Sequence, residues 1–240
     1  MNKIRVFDFS DPASLTVDVT TECFQPRFDN TLAMTAYQKQ TLILTTEGQV
    51  VALKQPLREC LKSFCIQNGI YQYEMDAYYA RVKCRTQGLI AGHNRLVPSQ
   101  GTSNARVVYY MAHFLGNYCY STERDRLLVS FEDFHLQIYI DASLKSFKRI
   151  VNAADRVSVL QLQNIQNKIA LYGMWRTESN LIRASDTYCS RQDGLRLNQD
   201  VRFQMLLNAA RASFINTFGE EPDADFRHQL ERSVNRRFRG

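Results

Sequence analysis

Apolar positions recur with two different periods along this chain, and the period changes near residue 141. Before that point the pattern is mainly that of strands. Leu15 to Val19 alternates apolar and polar residues, the two-residue period of a half-buried strand. Thr41 to Leu53 reads as a hairpin. Leu42, Ile43 and Leu44 lead in, Val50, Val51 and Leu53 lead out, and Gly48 supplies the positive φ of a tight turn. Pro56 opens a short helix with Leu57, Cys60, Leu61, Phe64 and Cys65 on one face, and Asn68-Gly69 stops it. Tyr71 to Cys84 fits either a second helix, with Met75, Tyr78, Tyr79 and Val82 inward, or an extended aromatic segment. Gly88 to Asn104 is rich in Gly, Ser, Asn and Thr and contains Pro98, so it reads as a long loop. A buried strand, Val107 to Met111, follows, then a second hairpin of Arg126 to Phe131 with His135 to Ile140.

Beyond Asp141-Ala-Ser143, which has the character of a helix entry, the period is helical. Leu144 to Thr177 carries Leu144, Phe147, Ile150 and Val151, then Val159, Leu160, Leu162, Ile165, Ile169 and Leu171. Gln192 to Asn198 reads as a polar loop around Gly194. Val201 to Phe218 is a second helix with Phe203, Leu206, Leu207, Ala210, Phe214 and Ile215 on one stripe, stopped by Gly219. Pro222 to Arg239 is a third, strongly basic one. Strands followed by helices predict an α+β fold, with an antiparallel β-rich N-terminal part and a helical C-terminal part. The expected division is a β-rich part with a basic loop over 1–140 and a helical part over 141–240, integrated into one domain.

Several functions lose their ground in the composition. The 240 residues are long enough for a real core, and 45% hydrophobic with 22% charged is a globular balance, not a disordered one. No apolar run approaches the roughly 20 residues of a membrane span. The apolar stretch after Lys3 and Arg5 is broken by Asp8, short of the about 7 to 15 residues a signal peptide needs. A cytoplasmic protein without membrane contact is expected. Cys23, Cys60, Cys65, Cys84, Cys119 and Cys189 lack a Cys-x-x-Cys pair, so free thiols are expected and neither a metal nor another cofactor. His93, His113, His135 and His228 are isolated, and Glu132-Asp133 sits on a turn. Neither a Gly-x-Ser-x-Gly elbow nor a phosphate-cradling glycine loop occurs. No catalytic residue emerges, and the expectation is a binding protein, not an enzyme.

The charge is informative once divided. Residues 1–142 hold 14 Lys and Arg against 14 Asp and Glu, whereas 143–240 hold 16 against 10, so the whole net charge of +6 lies in the latter. A localised basic excess is a footprint for phosphates. Arg81, Lys83, Arg85 and Arg95 bracket the polar loop, with Asn94, Asn104 and Arg106 nearby, and Lys145, Lys148 and Arg149 form a second cluster on the first long helix. A basic, Asn-rich loop projecting from a sheet can enter a groove of DNA. The DNA-binding candidates are therefore Arg81, Lys83, Arg85, Arg95, Asn104, Arg106, Lys145, Lys148 and Arg149. A third cluster, Arg227, Arg232, Arg236, Arg237 and Arg239, reads as a phosphate clamp or a solvated helix face. The connection from Gln192 to Asn198 does not fit the short turn of a helix-turn-helix.

From Leu42 to Ala112 the sequence resembles the ComK family of competence transcription factors. The paired strands of Thr41 to Leu53, the Pro56-Leu57 step and Cys65 with Gly69 carry the likeness. So do the basic Arg81, Lys83 and Arg85, the loop His93-Asn-Arg-Leu-Val-Pro98, and the aromatic strand Val107-Val-Tyr-Tyr-Met111. The strand Leu136 to Ile140, entering a helix at Ser143, also has a counterpart. The resemblance implies an activator of DNA-uptake genes that binds paired A/T-rich boxes as a dimer or tetramer, largely through the minor groove. It also implies control by a proteolytic adaptor, for which Phe203 to Leu207 is a candidate contact as well as the apolar face of a helix. The family's Ser-Ser-Tyr-x-Gly-Arg run is replaced by Ile70 to Met75, which motivates an alternative: a regulatory protein-interaction module without DNA binding.

Overall fold

The computed structural model describes residues 4–171 and 191–239, with side chains over 4–169 and 200–233. The fold is α+β, with strands in the N-terminal part and helices in the C-terminal part. The elements up to the first compact helix are β1 (Arg5–Asp8), β2 (Val19–Thr21), β3 (Thr31–Tyr37), β4 (Gln40–Thr45), β5 (Val50–Leu53) and α1 (Leu57–Gln67). Next come α2 (Gln72–Val82), β6 (Leu89–Ala91), β7 (Asn94–Pro98), β8 (Val108–Met111) and β9 (Leu115–Ser121). Last are β10 (Arg126–Phe131), β11 (Leu136–Ile140), α3 (Leu144–Leu171), α4 (Arg191–Phe218) and α5 (Ala224–Arg239).

The chain divides into two compact units, Met1–Ile70 with Cys84–Ser158, and Tyr71–Lys83 with Val159–Gly240. The change of period near residue 141 thus marks a change of element type, while the units divide elsewhere: α2 joins the second, and α3 contributes to both.

In the first unit, seven strands lie in the order β2-β5-β4-β3-β8-β7-β6 and four in the order β1-β11-β10-β9. The pairs β1–β11 and β2–β5 are parallel, and the other pairs are antiparallel. Thr41 to Thr45 of β4 and Val108 to Met111 of β8 are buried throughout, so these strands read as continuous runs without alternation. In β10 and β11, Leu127, Val129, Phe131, Leu136, Ile138 and Ile140 point inward while their neighbours are half-buried, the pattern of a sheet with one covered face. Gly48, between β4 and β5, has φ of +79°, and a Cβ there would come within 2.8 Å of Arg5 Nη1 and 3.2 Å of Leu136 Cδ2. Its positive φ calls for glycine, while the Arg5 tip and the Leu136 methyl would have to give way to a side chain.

Helix α1 buries Leu57, Cys60 and Phe64 and packs on β3 and β4, with Phe28 edge-on to Phe64 at 4.8 Å. Helix α3 starts at Ser143, whose hydroxyl accepts the Ser146 N–H at 3.2 Å. One turn on, the fully buried Phe147 stacks on Tyr110 of β8 at 5.1 Å and meets Tyr118 of β9 at 5.0 Å. This single ring fastens α3 to both sheets, a burial that contributes on the order of 1.5–3 kcal/mol.

Three sequence expectations are corrected. Gly88 to Asn104 is not one long loop. Leu89 to Ala91 pairs with Asn94 to Leu96 as a hairpin about Gly92-His93, where Gly92 has φ of +62°. Gly92 and His93 make a two-residue turn, and Ile90, Leu96 and Val97 are core. Leu15 to Val19 is not a strand. The chain makes one 3-10 turn at Pro12–Ser14 and pairs only from Val19, because the alternating side chains find no surface to bury against and Val17 and Val19 stay exposed. Gln192 to Asn198 is not a loop but lies inside α4. A single interior glycine costs about 1 kcal/mol and does not stop a helix whose neighbours are good helix formers.

In the second unit α2 takes the helical alternative, with Met75, Tyr78, Tyr79 and Val82 buried. The Tyr78 hydroxyl accepts Asn164 Nδ2 at 2.7 Å. The expected helix from Leu144 is described as far as Leu171, and its continuation to Thr177 lies outside the described residues. Helix α4 ends where Gly219, at φ +76°, donates to the Ile215 carbonyl at 2.8 Å.

Candidate nucleic-acid interface

The predicted cations separate into two groups once their partners are known. On the first turns of α3, Lys145, Lys148 and Arg149 are exposed, as is Arg156 further along. None of the four forms an ion pair among the described residues. The opposite face buries Phe147, Ile150, Ala154 and Val157 completely. The first turn has no acidic residue. Cations near a helix N-terminus oppose the macrodipole, by about 0.3–1 kcal/mol each at exposed positions. Helix stability therefore does not account for this cluster.

The projecting loop of this unit joins β7 to β8, and residues 101–106 are all exposed. Asn104, one of the predicted DNA-binding residues, also organises that loop. Its N–H donates to the Gly101 carbonyl at 3.0 Å, and its Oδ1 accepts the Arg106 N–H at 2.9 Å. Arg106 extends to Asp141 at 3.5 Å, with 68% of its side chain exposed. Such a pair is worth little and yields readily to a phosphate. Arg85 is exposed with no ion pair among the described residues, as is Lys83, which ends α2 in the left-handed conformation.

Arg95 and Arg81 are committed elsewhere. Arg95 lies in β7, not in a loop, and its guanidinium is bound to the Asp155 carboxylate of α3 and reaches the Ala112 carbonyl at 3.4 Å. Its side chain is only 23% exposed. Burial pushes the Asp155 carboxyl up, and the Arg95 charge opposes that. The Arg95 backbone N–H donates to His113 Nδ1 at 3.1 Å, so His113 carries its proton on Nε2 and donates to the Phe28 carbonyl, also at 3.1 Å. Burial, together with the nearby Arg95 charge, holds His113 below the usual histidine range and keeps it neutral. This is a structural histidine that links the Arg95 backbone of β7 to the Phe28 carbonyl. In the second unit Arg81 meets Asp200 at 3.1 Å.

In the third cluster, Arg227 donates to the Pro222 carbonyl at 2.7 Å and Arg232 to the His228 carbonyl at 3.2 Å. The side chains of Arg236, Arg237 and Arg239 lie outside the described residues, as does Cys189. Burial raises the Cys60 thiol to about 11, making it an inert core group. Among the described residues no three His, Cys, Asp or Glu side chains converge to hold a metal ion, and no helix is long and apolar enough to cross a membrane.

Sequence reasoning missed Arg156. One signal was available: the spacing of 145, 149, 152 and 156 on one helix face. No protein-family model, no curated protein and no solved structure matches this chain.

Proposed function

We propose that this protein is a DNA-binding transcription activator of competence genes, acting in the cytoplasm as an oligomer on A/T-rich boxes. The observation that carries the reading is a set of exposed cations with no ion pair among the described residues, Lys145, Lys148 and Arg149 on α3, and Arg85. Arg106, on the exposed loop beside Asn104, adds a cation that a narrow A/T minor groove would attract. Arg81 and Arg95 serve the fold in this reading, since each already holds an aspartate. The likeness to competence factors supplies the gene class and the A/T preference.

A second reading, a regulatory protein-interaction module, draws on the apolar side chains that the second unit leaves in solvent. Leu206, Phe218 and Phe226 are all exposed, and the ring of Phe214 touches those of Phe218 and Phe226 at 4.6 Å. A proteolytic adaptor would find its surface there. Fluorescence anisotropy with an A/T-box duplex and a G/C-rich control, at two salt concentrations, separates the readings. The activator binds tightly, prefers the A/T duplex and weakens with salt. Equal, weak binding to both duplexes favours the interaction module.

A further inference from the structure

We infer that one face of α3, carrying Lys145, Arg149, Asn152 and Arg156, is the contact for the phosphate backbone of duplex DNA, setting the strength and salt dependence of binding but not its sequence preference. This rests on the DNA-binding reading above and assigns Arg156 to the site. The four residues follow one another at intervals of 4, 3 and 4, so they fall within an arc of about 60° and span about 16 Å of helix. All four are exposed. The only carboxylate between Leu144 and Ser158 is Asp155, and it is turned to Arg95. Nothing on this part of the helix cancels the row.

The chemistry of the face selects its ligand. An interfacial membrane helix needs an apolar face free to enter lipid, whereas the apolar face of α3 is already spent on Tyr110 and Tyr118 through Phe147. A protein interface needs a buried aromatic or aliphatic anchor, and a single-strand site needs stacking rings. Between these cations stands only Asn152, a phosphate hydrogen-bonder. A straight cationic row with an amide in it fits a regular array of phosphates. As contacts to the backbone these side chains carry no sequence information, so the face should treat A/T and G/C duplexes alike.

The test compares the full chain with Lys145→Gln/Arg149→Gln/Arg156→Gln, titrating both duplexes between 50 and 200 mM salt, with circular dichroism to verify folding. Three lost phosphate contacts should lower the slope of log K against log salt by about 2.7, so the salt-induced loss of affinity over that range shrinks by about 40-fold. The A/T to G/C affinity ratio should stay unchanged. Because the variant also relieves cations at the wrong end of a helix dipole, Lys145→Gln alone should fold at least as stably as the parent and lower the slope by about 0.9. An unchanged slope in a parent that binds DNA overturns the phosphate contact and leaves the activator reading standing. A changed A/T ratio with an intact slope makes the face a base reader and also overturns it. A parent that binds neither duplex, or that binds vesicles containing phosphatidylglycerol in their place, overturns both.

Discussion

Basic side chains in the first half of α3 and two of those in the second unit, Arg81 and Arg211, live under opposite conditions. On α3, Lys145, Lys148, Arg149 and Arg156 stand in solvent with no carboxylate to meet among the described residues. In the second unit Arg81 holds Asp200 at 3.1 Å, and Arg211 grips Glu221 through Nε at 2.7 Å, an exchange that draws the Glu221 carboxyl below its usual range. Net charge along the sequence makes these residues look alike. What separates them is whether folding delivers an acid. The acids of the second group come from 119 and 10 residues away, and Asp155 reaches Arg95 across 60. A cation matters for recognition when the fold leaves it unpaired.

The largest effect that sharpens this comparison concerns how α3 is held. Phe147→Ala removes the ring between Tyr110 and Tyr118 and should cost about 3–5 kcal/mol in urea unfolding, displacing the cationic face with it. Leu206→Ala, at a side chain 41% exposed in the second unit, should change stability by about 0.5 kcal/mol at most. Next in size is Arg95→Met. It strands Asp155, which is 45% exposed, so the loss should be about 1–2 kcal/mol, between the values for open and closed pairs. Asp155→Asn added to it should recover part of that loss. In that double variant, which frees no carboxylate beside Arg156, DNA affinity per folded molecule should be unaltered, because Arg95 belongs to the packing.

A smaller effect follows pH. His113 is held below the value of the unfolded chain, about 6.5. The unfolded state therefore takes up more protons across this window, and stability should fall as pH drops from 7 through about 6.5, levelling off below the folded value. His113→Asn should flatten that part of the stability curve in urea titrations at stepped pH. Smallest is Arg81→Gln, which opens an exposed pair and should cost less than about 1 kcal/mol, with the cost shrinking in high salt.

The legible parts of the fold were those with a local signature. Gly48 marked the β4–β5 turn, Pro56 and Gly69 bounded α1, and the alternation of Leu136, Ile138 and Ile140 marked β11. The central strand β3 escaped because Thr31 to Thr35 is buried on both faces and mixes threonine with apolar residues, so it shows neither a clean run nor an alternation. Strand β9 escaped for the opposite reason, since Gly116, Asn117, Cys119 and Tyr120 remain exposed and carry no apolar period. The basic site was legible as composition. Its division was not, because pairing of Arg81 with Asp200 and of Arg95 with Asp155 is a tertiary fact that no window of sequence contains.

The most direct test is therefore a comparison of two variants of identical net charge, Lys145→Gln/Arg149→Gln and Arg81→Gln/Arg211→Gln, each titrated with the A/T-box duplex at fixed salt. If unpaired cations make the interface, the first loses affinity and salt slope while the second binds like the parent. Equal losses in both would mean that overall charge, and not the unpaired face of α3, governs binding, and would contradict the account.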